Sequence, residues 1–329
     1  MQWGITMAPR TIKAGILPLY LKLYEEITPG GYRQFDGFIG STKELLVKAG
    51  LTLIDPGVVF EKSHVAKAEE LFLRENISFI VTLHLCYSPS LLIADFLKKL
   101  HLPVIILDTT PDFSFENMQD DYLLKNHGIH GVMDLTSVLR SRGIPFTVVS
   151  GHAENPDFTE SLTKTARAYA AASLYRNQTI GITGKPFEGM GDFAVDFGRL
   201  KQAFGITVKE IPAARLIEEG ERVADGDIEA SMNEEKSRWD TGRVSPEAYR
   251  DSVRTYLALK RIAGKEGLSG YTLNFQFITE GMATPFYACS RLMGEGSGYG
   301  GEGDVLTATL GAPLNLLSEA AKFDEFFCA

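Results

Sequence analysis

The densest cluster of residues able to do chemistry lies toward the end of the chain, at residues 294–304. Six glycines surround three acids there, Glu295, Glu302 and Asp304. Glycines let the backbone approach a ligand closely, and carboxylate oxygens are ligands that Mn²⁺ and Mg²⁺ prefer. An oxygen-ligand metal site is one interpretation of this spacing, and a solvated turn without a ligand is an equally good one.

A second glycine-containing loop, residues 184–192, follows a predicted strand and precedes a predicted helix. This order places the loop at the carboxyl edge of a sheet, where α/β proteins bind ligands. The loop lacks the Lys-Ser/Thr pair of a Walker loop and the order of glycines in GxGxxG. Its sequence therefore argues against a nucleotide site.

Histidines occur only in the first half of the chain, and the last of them is His152. His127 and His130 stand three residues apart beside glycines, but no adjacent carboxylate or cysteine completes a ligand set, which favours loop histidines over a metal pair. His84 ends a predicted strand, where it either faces a ligand or is a hydrogen-bonded core residue. A metal bound by the second half would need oxygen ligands.

The elements that must position these residues alternate between strand-like and helical patterns. Short apolar runs, such as residues 77–83, 103–107 and 179–183, are separated by amphipathic stretches with helical spacing. This alternation predicts parallel sheets covered by helices on both faces. Residues 274–279 are also predicted to form a strand, and residues 213–268 a polar helical stretch broken near Gly242 and Pro246.

The length of 329 residues exceeds the size at which a single core usually stops growing. We therefore expect an α/β protein of two consecutive Rossmann-like or flavodoxin-like parallel-sheet domains, residues 1–175 and 176–329. The boundary falls at a polar turn that follows an alanine-rich helical segment.

Composition excludes several classes of partner. The formal net charge of -9 comes without clustered Lys and Arg, which argues against nucleic-acid binding. The three cysteines are far apart and odd in number, which fits a reducing compartment. The first residues lack the apolar region of a signal peptide, and no apolar run is long enough to cross a membrane. The sequence predicts a cytoplasmic protein whose partner is a small molecule.

Three short motifs, taken in chain order, carry a resemblance to a known family. Residues 83–89 (LHLCYSP) resemble a strand-end LHxxSP pattern, and residues 129–131 (IHG) resemble a His-Gly segment. Residues 291–293 (RLM) followed by 298–304 (GYGGEGD) are close to a run that reads RLM…GYGFAGEGD, the most specific of the three. Together these motifs resemble the L-arabinose/L-fucose isomerase family, and the resemblance extends from the first predicted strand to the last residue.

The resemblance implies a metal-dependent aldose-ketose isomerase of carbohydrate metabolism. In such an enzyme Mn²⁺ polarises the sugar carbonyl and hydroxyl, while carboxylates move a proton between adjacent carbons through an enediol. By resemblance, Glu302 is a catalytic residue and a metal ligand, and His130 serves the active site of a neighbouring subunit. A homo-oligomer, either a trimer or a hexamer, is implied as well.

Two departures from the family affect this expectation. Gln276 stands where the family has a second catalytic glutamate; a glutamine can coordinate a metal or hold a hydroxyl group, but it cannot act as a general base. Glu280, four residues later, is a possible substitute. The family also continues from a segment like residues 323–327 into a metal-binding histidine and a β-rich third domain, whereas this sequence ends at Ala329. We therefore expect a truncated chain with an incomplete site and little or no activity.

Two hypotheses follow. The first is an isomerase acting on a pentose or a deoxyhexose, impaired in this chain, with Glu302, Gln276 and His130 as its catalytic residues and with Glu302 and Gln276 as the ligands of Mn²⁺. The second is a sugar-binding or regulatory protein that holds its ligand between two α/β lobes without chemistry. Gln276 in the place of a glutamate favours the second hypothesis.

Overall fold

The computed structural model describes residues 12–114, 116, 122–236, 238–278, 285–318 and 321–323. The chain divides into two units, one of residues Thr11–Ser173 and one that includes Leu174–Ala329, which we call the N-terminal unit and the C-terminal unit. Each unit builds one parallel sheet. The structure thus confirms the predicted α/β class with two parallel-sheet domains.

The sheet of the N-terminal unit has five strands in the order β2-β1-β3-β4-β5. The strands are β1 (Lys13–Leu19), β2 (Thr52–Ile54), β3 (Phe79–His84), β4 (Val104–Asp108) and β5 (Phe146–Ser150). Every residue of β3 is buried, as expected of a central strand that is covered on both faces. The helices are α1 (Lys22–Ile27), α2 (Asp36–Lys48), α3 (Lys62–Glu75), α4 (Ala94–Leu100), α5 (Tyr122–Asn126), α6 (Gly128–Ser141) and α7 (Pro156–Tyr175).

The sheet of the C-terminal unit has four strands in the order β7-β6-β8-β9. The strands are β6 (Thr179–Thr183), β7 (Thr207–Glu210), β8 (Gly270–Leu273) and β9 (Gly298–Gly301). The helices are α8 (Phe197–Phe204), α9 (Ala213–Glu221), α10 (Asp225–Lys236), α11 (Pro246–Glu266), α12 (Phe286–Gly294) and α13 (Val305–Ser318).

The polar helical stretch predicted over residues 213–268 is confirmed with its break before Pro246, but a further break, between α9 and α10, was not predicted. The side chain of Ser245 caps α11 by accepting a hydrogen bond from the Ala248 N–H, and Pro246 occupies the first turn, where its missing N–H costs nothing. Gly267 ends the helix in the left-handed conformation.

The predicted strand at residues 274–279 is wrong in its position. The strand is β8, which ends at Leu273, and residues 275–277 form a 3₁₀ turn instead. The physical cause is Asn274, whose side chain accepts a hydrogen bond from the backbone N–H of Gln276 and bends the chain away from the sheet. Thr279, at the end of the predicted segment, lies outside the described residues.

Residues 298–301 of the glycine-rich segment form β9, the edge strand against which α13 packs. A Cβ atom added at Gly298 would overlap the Ala308 carbonyl oxygen, and one at Gly300 would overlap the Asp304 carbonyl oxygen. These glycines are needed because the helix backbone lies directly on the strand. The part of the chain that the structure describes contains no helix long and apolar enough to cross a membrane.

Candidate functional site

Three loops meet at the carboxyl edge of the C-terminal sheet. The loop of residues 184–192 follows β6, Asn274 and Gln276 follow β8, and Glu302 follows β9. Because β6, β8 and β9 are parallel and adjacent in the sheet, all three loops leave from the same edge. The fold therefore brings together the loop, the glutamine and the glutamate that the sequence had singled out separately.

Glu302 has an unusual backbone at this edge. Its φ angle is 55°, in the left-handed region that non-glycine residues rarely adopt, and its side chain is half-buried. The Phe187 N–H donates a hydrogen bond of 3.0 Å to the Glu302 carbonyl oxygen. The next residue, Gly303, has a φ of 87°, and a Cβ there would lie 2.6 Å from the Cα of Pro186. The loop after β9 is thus held directly against the loop after β6.

Asn274 joins the loop after β8 to the loop after β6. It is 1% exposed, and its Nδ2 donates a hydrogen bond of 2.9 Å to the Lys185 carbonyl oxygen. Its Oδ1 accepts from the Gln276 N–H at 3.0 Å, and its Nδ2 lies 3.4 Å from Gln276 Oε1. The sequence reasoning missed this residue; the available signal was an asparagine directly after an apolar strand, which favours a turn closed by its own side chain.

Gln276 itself is exposed and flanked by two exposed aromatic side chains, Phe275 and Phe277. The Phe275 ring lies 5.7 Å from the ring of Phe187, and Gly184 leaves room for the Phe277 ring, which a Cβ would overlap. The carboxyl edge therefore presents an amide, a carboxylate and aromatic surface, groups able to bind a polar molecule that carries C–H faces.

The other two acids of the glycine-rich segment have different roles. Asp304 caps α13, because its carboxylate accepts a 3.0 Å hydrogen bond from the Thr307 N–H. Glu295 precedes β9 and pairs with Lys260 at 2.9 Å, so it lies at the amino end of the strand whose carboxyl end leads to Glu302. The three acids do not form one ligand group, since a whole strand separates Glu295 from Glu302.

A divalent metal is implied by the family resemblance, and the described residues fit it in part. Glu302 and Gln276 supply oxygen donors of the kind that Mn²⁺ takes. The described ranges contain no group of three or more His, Cys, Asp or Glu residues placed to hold a metal ion. Glu280 and residues 324–329 lie outside the described residues.

His84 lies at the carboxyl edge of the N-terminal sheet, at the end of β3. It is buried, its Nδ1 is 2.8 Å from Ser88 Oγ, and its Nε2 has no hydrogen-bond partner among the residues described. Burial lowers the pKa of His84 to about 3, and the carboxylate of Asp134 opposes that shift. Gly131 packs so closely on the imidazole that a Cβ would lie 2.6 Å from Nδ1. His84 is therefore a neutral core histidine.

His127 and His130 belong to the N-terminal unit, at the start of α6. His127 Nε2 is 3.2 Å from the Tyr24 hydroxyl, and burial lowers its pKa. The His130 side chain is exposed, and its ring centroid is 5.9 Å from that of His127. His130 thus stands in a different unit from Glu302 and Gln276.

Comparison with known proteins gives a consistent result. The family described as the L-arabinose isomerase central domain matches residues 190–320. The chain is 26% identical to L-arabinose isomerase 1 of Bacillus licheniformis over 76% of this chain and 52% of the relative. It is 28% identical to L-arabinose isomerase of Erwinia tasmaniensis over 68% of this chain and 46% of the relative. It is 27% identical to L-arabinose isomerase of Tolumonas auensis over 84% of this chain and 58% of the relative. The chain spans about half the length of these curated relatives.

The two parallel sheets define a protein with two Rossmann-like domains, and the edge that carries Glu302 is its candidate ligand site at strand ends. The matched segment includes α12, β9 and Glu302, and the matches to named relatives extend well beyond it. The chain is similar to L-arabinose isomerases, and its residues 190–320 match the central domain of that family.

Proposed function

We propose that this chain takes part in the interconversion of an aldose and a ketose, with the sugar bound at the carboxyl edge of the C-terminal sheet. The observation that carries this proposal is the joining of three loops around Glu302 by the Phe187 and Asn274 hydrogen bonds. Fixed loops keep polar groups in place without reorganisation when the substrate binds.

The residues of this edge have distinct roles in the proposal. Glu302 and Gln276 are the side chains that would hold Mn²⁺, through a carboxylate and an amide oxygen. When bound, the ion would polarise the sugar carbonyl and the neighbouring hydroxyl. Gln276 also positions a sugar hydroxyl by hydrogen bonding, and it takes no proton because an amide is not a base. The carboxylate of Glu302 is able to accept a proton, as are those of Glu188 and Asp192 in the loop after β6.

His130 completes a site in a neighbouring copy of the chain in this proposal. This role of His130 is supported by exposed apolar side chains around the start of α6, which are Leu123, Leu124, Ile129 and Met133. Exposed apolar patches of this kind mark protein interfaces. We infer a trimer or hexamer assembled through this surface.

Two further properties belong to the proposal. Cys86 and Cys289 are both free and buried, which supports a reducing compartment such as the cytoplasm. The net charge of -9 supports a small molecule and not a nucleic acid as the partner.

The direct experiment incubates the chain with Mn²⁺ and a series of aldopentoses and 6-deoxyhexoses, and measures ketose. We expect slow turnover at best, because the position of a second catalytic glutamate holds Gln276. The Gln276→Glu variant should turn over at least one of these sugars faster than the parent chain. No ketose from either form with any of the sugars would contradict the catalytic proposal.

A second candidate function rests on Gln276 alone: a sugar-binding protein without chemistry. It predicts that Gln276→Glu leaves the sugar affinity unchanged and produces no ketose. Calorimetric titration of both forms with the same sugars, run beside the ketose assay, separates this candidate from the isomerase.

A further inference from the structure

The C-terminal unit contains a second polar cleft, between α10, α11 and α12, with a volume of about 1010 Å³. This size is typical of small-molecule sites. The side chains that matter most for its chemistry come from all three helices and from the residue after α12. They are Glu235, Tyr249, Lys260, Tyr287, Arg291 and Glu295.

This cleft is distinct from the candidate active site. Glu295 precedes β9 and lines the cleft, whereas Glu302 follows β9 at the carboxyl edge. A strand rises about 3.3 Å per residue, so the residues of β9 alone separate the two positions by about 13 Å. Arg291, the first residue of the RLM motif, also lines the cleft and contributes to its charge network.

The charges that line the cleft cancel. Its lining includes four acidic and four basic side chains. Three pairs are in direct contact: Glu235 with Arg291, Glu295 with Lys260 at 2.9 Å, and Glu234 with Arg238 at 3.0 Å. The remaining two, Asp240 and Lys322, are exposed and of opposite sign. A ligand of this cleft meets no excess charge, so the lining favours an uncharged molecule.

Aromatic side chains also line the cleft, and the hydroxyl group of one of them, Tyr287, has no hydrogen-bond partner among the described residues. The rings of Tyr249 and Tyr287 lie 6.2 Å apart, and Trp239 stands at the lining with 67% of its surface exposed. The hydroxyl of Tyr287 is buried and has no hydrogen-bond partner within the described part of the chain. Aromatic faces beside hydroxyl and charged groups suit a molecule that has both C–H faces and many hydroxyls.

Stability does not explain this arrangement. The Glu235 side chain is 4% exposed, and a buried ion pair contributes little net stability compared with apolar residues of the same shape. A buried hydroxyl without a partner is unfavourable as well. Both features are understandable when a polar ligand supplies the missing contacts.

We propose that this cleft binds a neutral, polyhydroxylated small molecule such as a free sugar, at a second site remote from Glu302. The proposal does not depend on the isomerase function. Tyr287 donates its free hydroxyl to the ligand, and the charge pairs of Arg291 and Lys260 offer further donors and acceptors.

The experiment uses tryptophan emission, because the chain has two tryptophans, Trp3 and Trp239. In a Trp3→Phe chain the emission reports on Trp239 at the cleft. We expect saturable changes on titration with at least one of three neutral sugars, L-arabinose, L-fucose and D-galactose. The corresponding acid, L-arabinonate, should give none, because the lining carries as many acidic as basic side chains and so has no net positive charge to attract it.

Variants in the Trp3→Phe background identify the contact. Tyr287→Phe should weaken binding about fivefold to tenfold, as expected for one lost hydrogen bond to a ligand, and should leave the thermal midpoint unchanged or higher. Tyr249→Phe is the matched control, because the hydroxyl of Tyr249 already donates to the Met232 carbonyl oxygen. It should weaken binding less than Tyr287→Phe does.

Glu302→Gln separates this proposal from the proposed function. An unchanged Trp239 response in that variant places the ligand in the cleft, whatever the outcome of the isomerase assay. The proposal is overturned by no response to any of the three sugars, by equal binding of L-arabinonate, by full affinity in Tyr287→Phe, or by loss of the response in Glu302→Gln.

Discussion

His84 is a buried histidine that the N-terminal unit keeps uncharged. Its pKa of about 3 lies below the ordinary value of 6.5 because burial disfavours the imidazolium. Between these two values the unfolded chain binds a proton that the folded chain does not. The stability that His84 contributes is therefore complete above pH 6.5 and is lost as the pH falls toward 3.

We predict that the free energy of unfolding falls by roughly 1 kcal/mol for each pH unit below about 6.5 through His84 alone. The free energy of unfolding, measured with urea, should fall less in His84→Gln than in the parent chain as the pH is lowered. We expect the two losses to differ by about 2 kcal/mol at about pH 5. The exposed His101 offers a control, and His101→Asn should keep the pH dependence of the parent. A pH dependence in His84→Gln equal to that of the parent would contradict the neutral assignment.

At the scale of residues, the sequence indicated which side chains belong to the candidate site better than it indicated which residues lie next to them. Glu302 and Gln276 were found from the sequence, and the fold places both on one edge. Glu295 was grouped with Glu302 because the glycine-rich sequence of β9 does not indicate that a strand separates them. Asn274 was missed because the local signal, an asparagine directly after an apolar strand, indicates only a turn, whereas its hydrogen bond to Lys185 spans 89 residues.

The edge strand β9 shows why glycine spacing alone did not reveal the element. Glycine is depleted in strands, so residues 298–301 had the composition of a loop. The strand forms because α13 packs directly on its backbone, which excludes a Cβ at Gly298 and Gly300. Elements with β-branched, apolar runs such as β3, β4 and β6 were predictable, since their residues favour strands without help from a neighbour.

This packing gives a prediction with a control in the same segment. Gly298→Ala should lower the free energy of unfolding by about 1–3 kcal/mol, because the new methyl group overlaps the Ala308 carbonyl oxygen. At Gly294, at the end of α12, an added Cβ atom has no neighbouring atom within 4 Å. Gly294→Ala should therefore raise the free energy of unfolding by less than about 1 kcal/mol. Chemical denaturation of both variants tests this, and similar losses for the two would refute the packing explanation.

At the scale of the whole molecule, the proposed assembly depends on the apolar surface beside His130. Met133 is 62% exposed there, and Leu123, Leu124 and Ile129 are exposed as well. Burial of such a surface against another copy is favourable in proportion to its apolar area.

We predict that light scattering gives the mass of a trimer or hexamer for the parent chain, and a smaller species for Met133→Glu, because a buried charge opposes association. Val47, exposed on α2, provides the control, and Val47→Glu should leave the mass unchanged. A monomeric parent chain would rule out this assembly.

The most direct measurement for the central claim, that the edge around Glu302 is the functional site, is a Mn²⁺ titration by calorimetry. Loss of residues that only support metal ligands typically costs 10–100-fold in affinity, so Glu302→Gln should bind Mn²⁺ at least about tenfold more weakly than the parent. Glu221→Gln, which alters an exposed carboxylate at the end of α9, should bind Mn²⁺ as the parent does. Equal affinity in Glu302→Gln, or no saturable binding by the parent, would contradict the account.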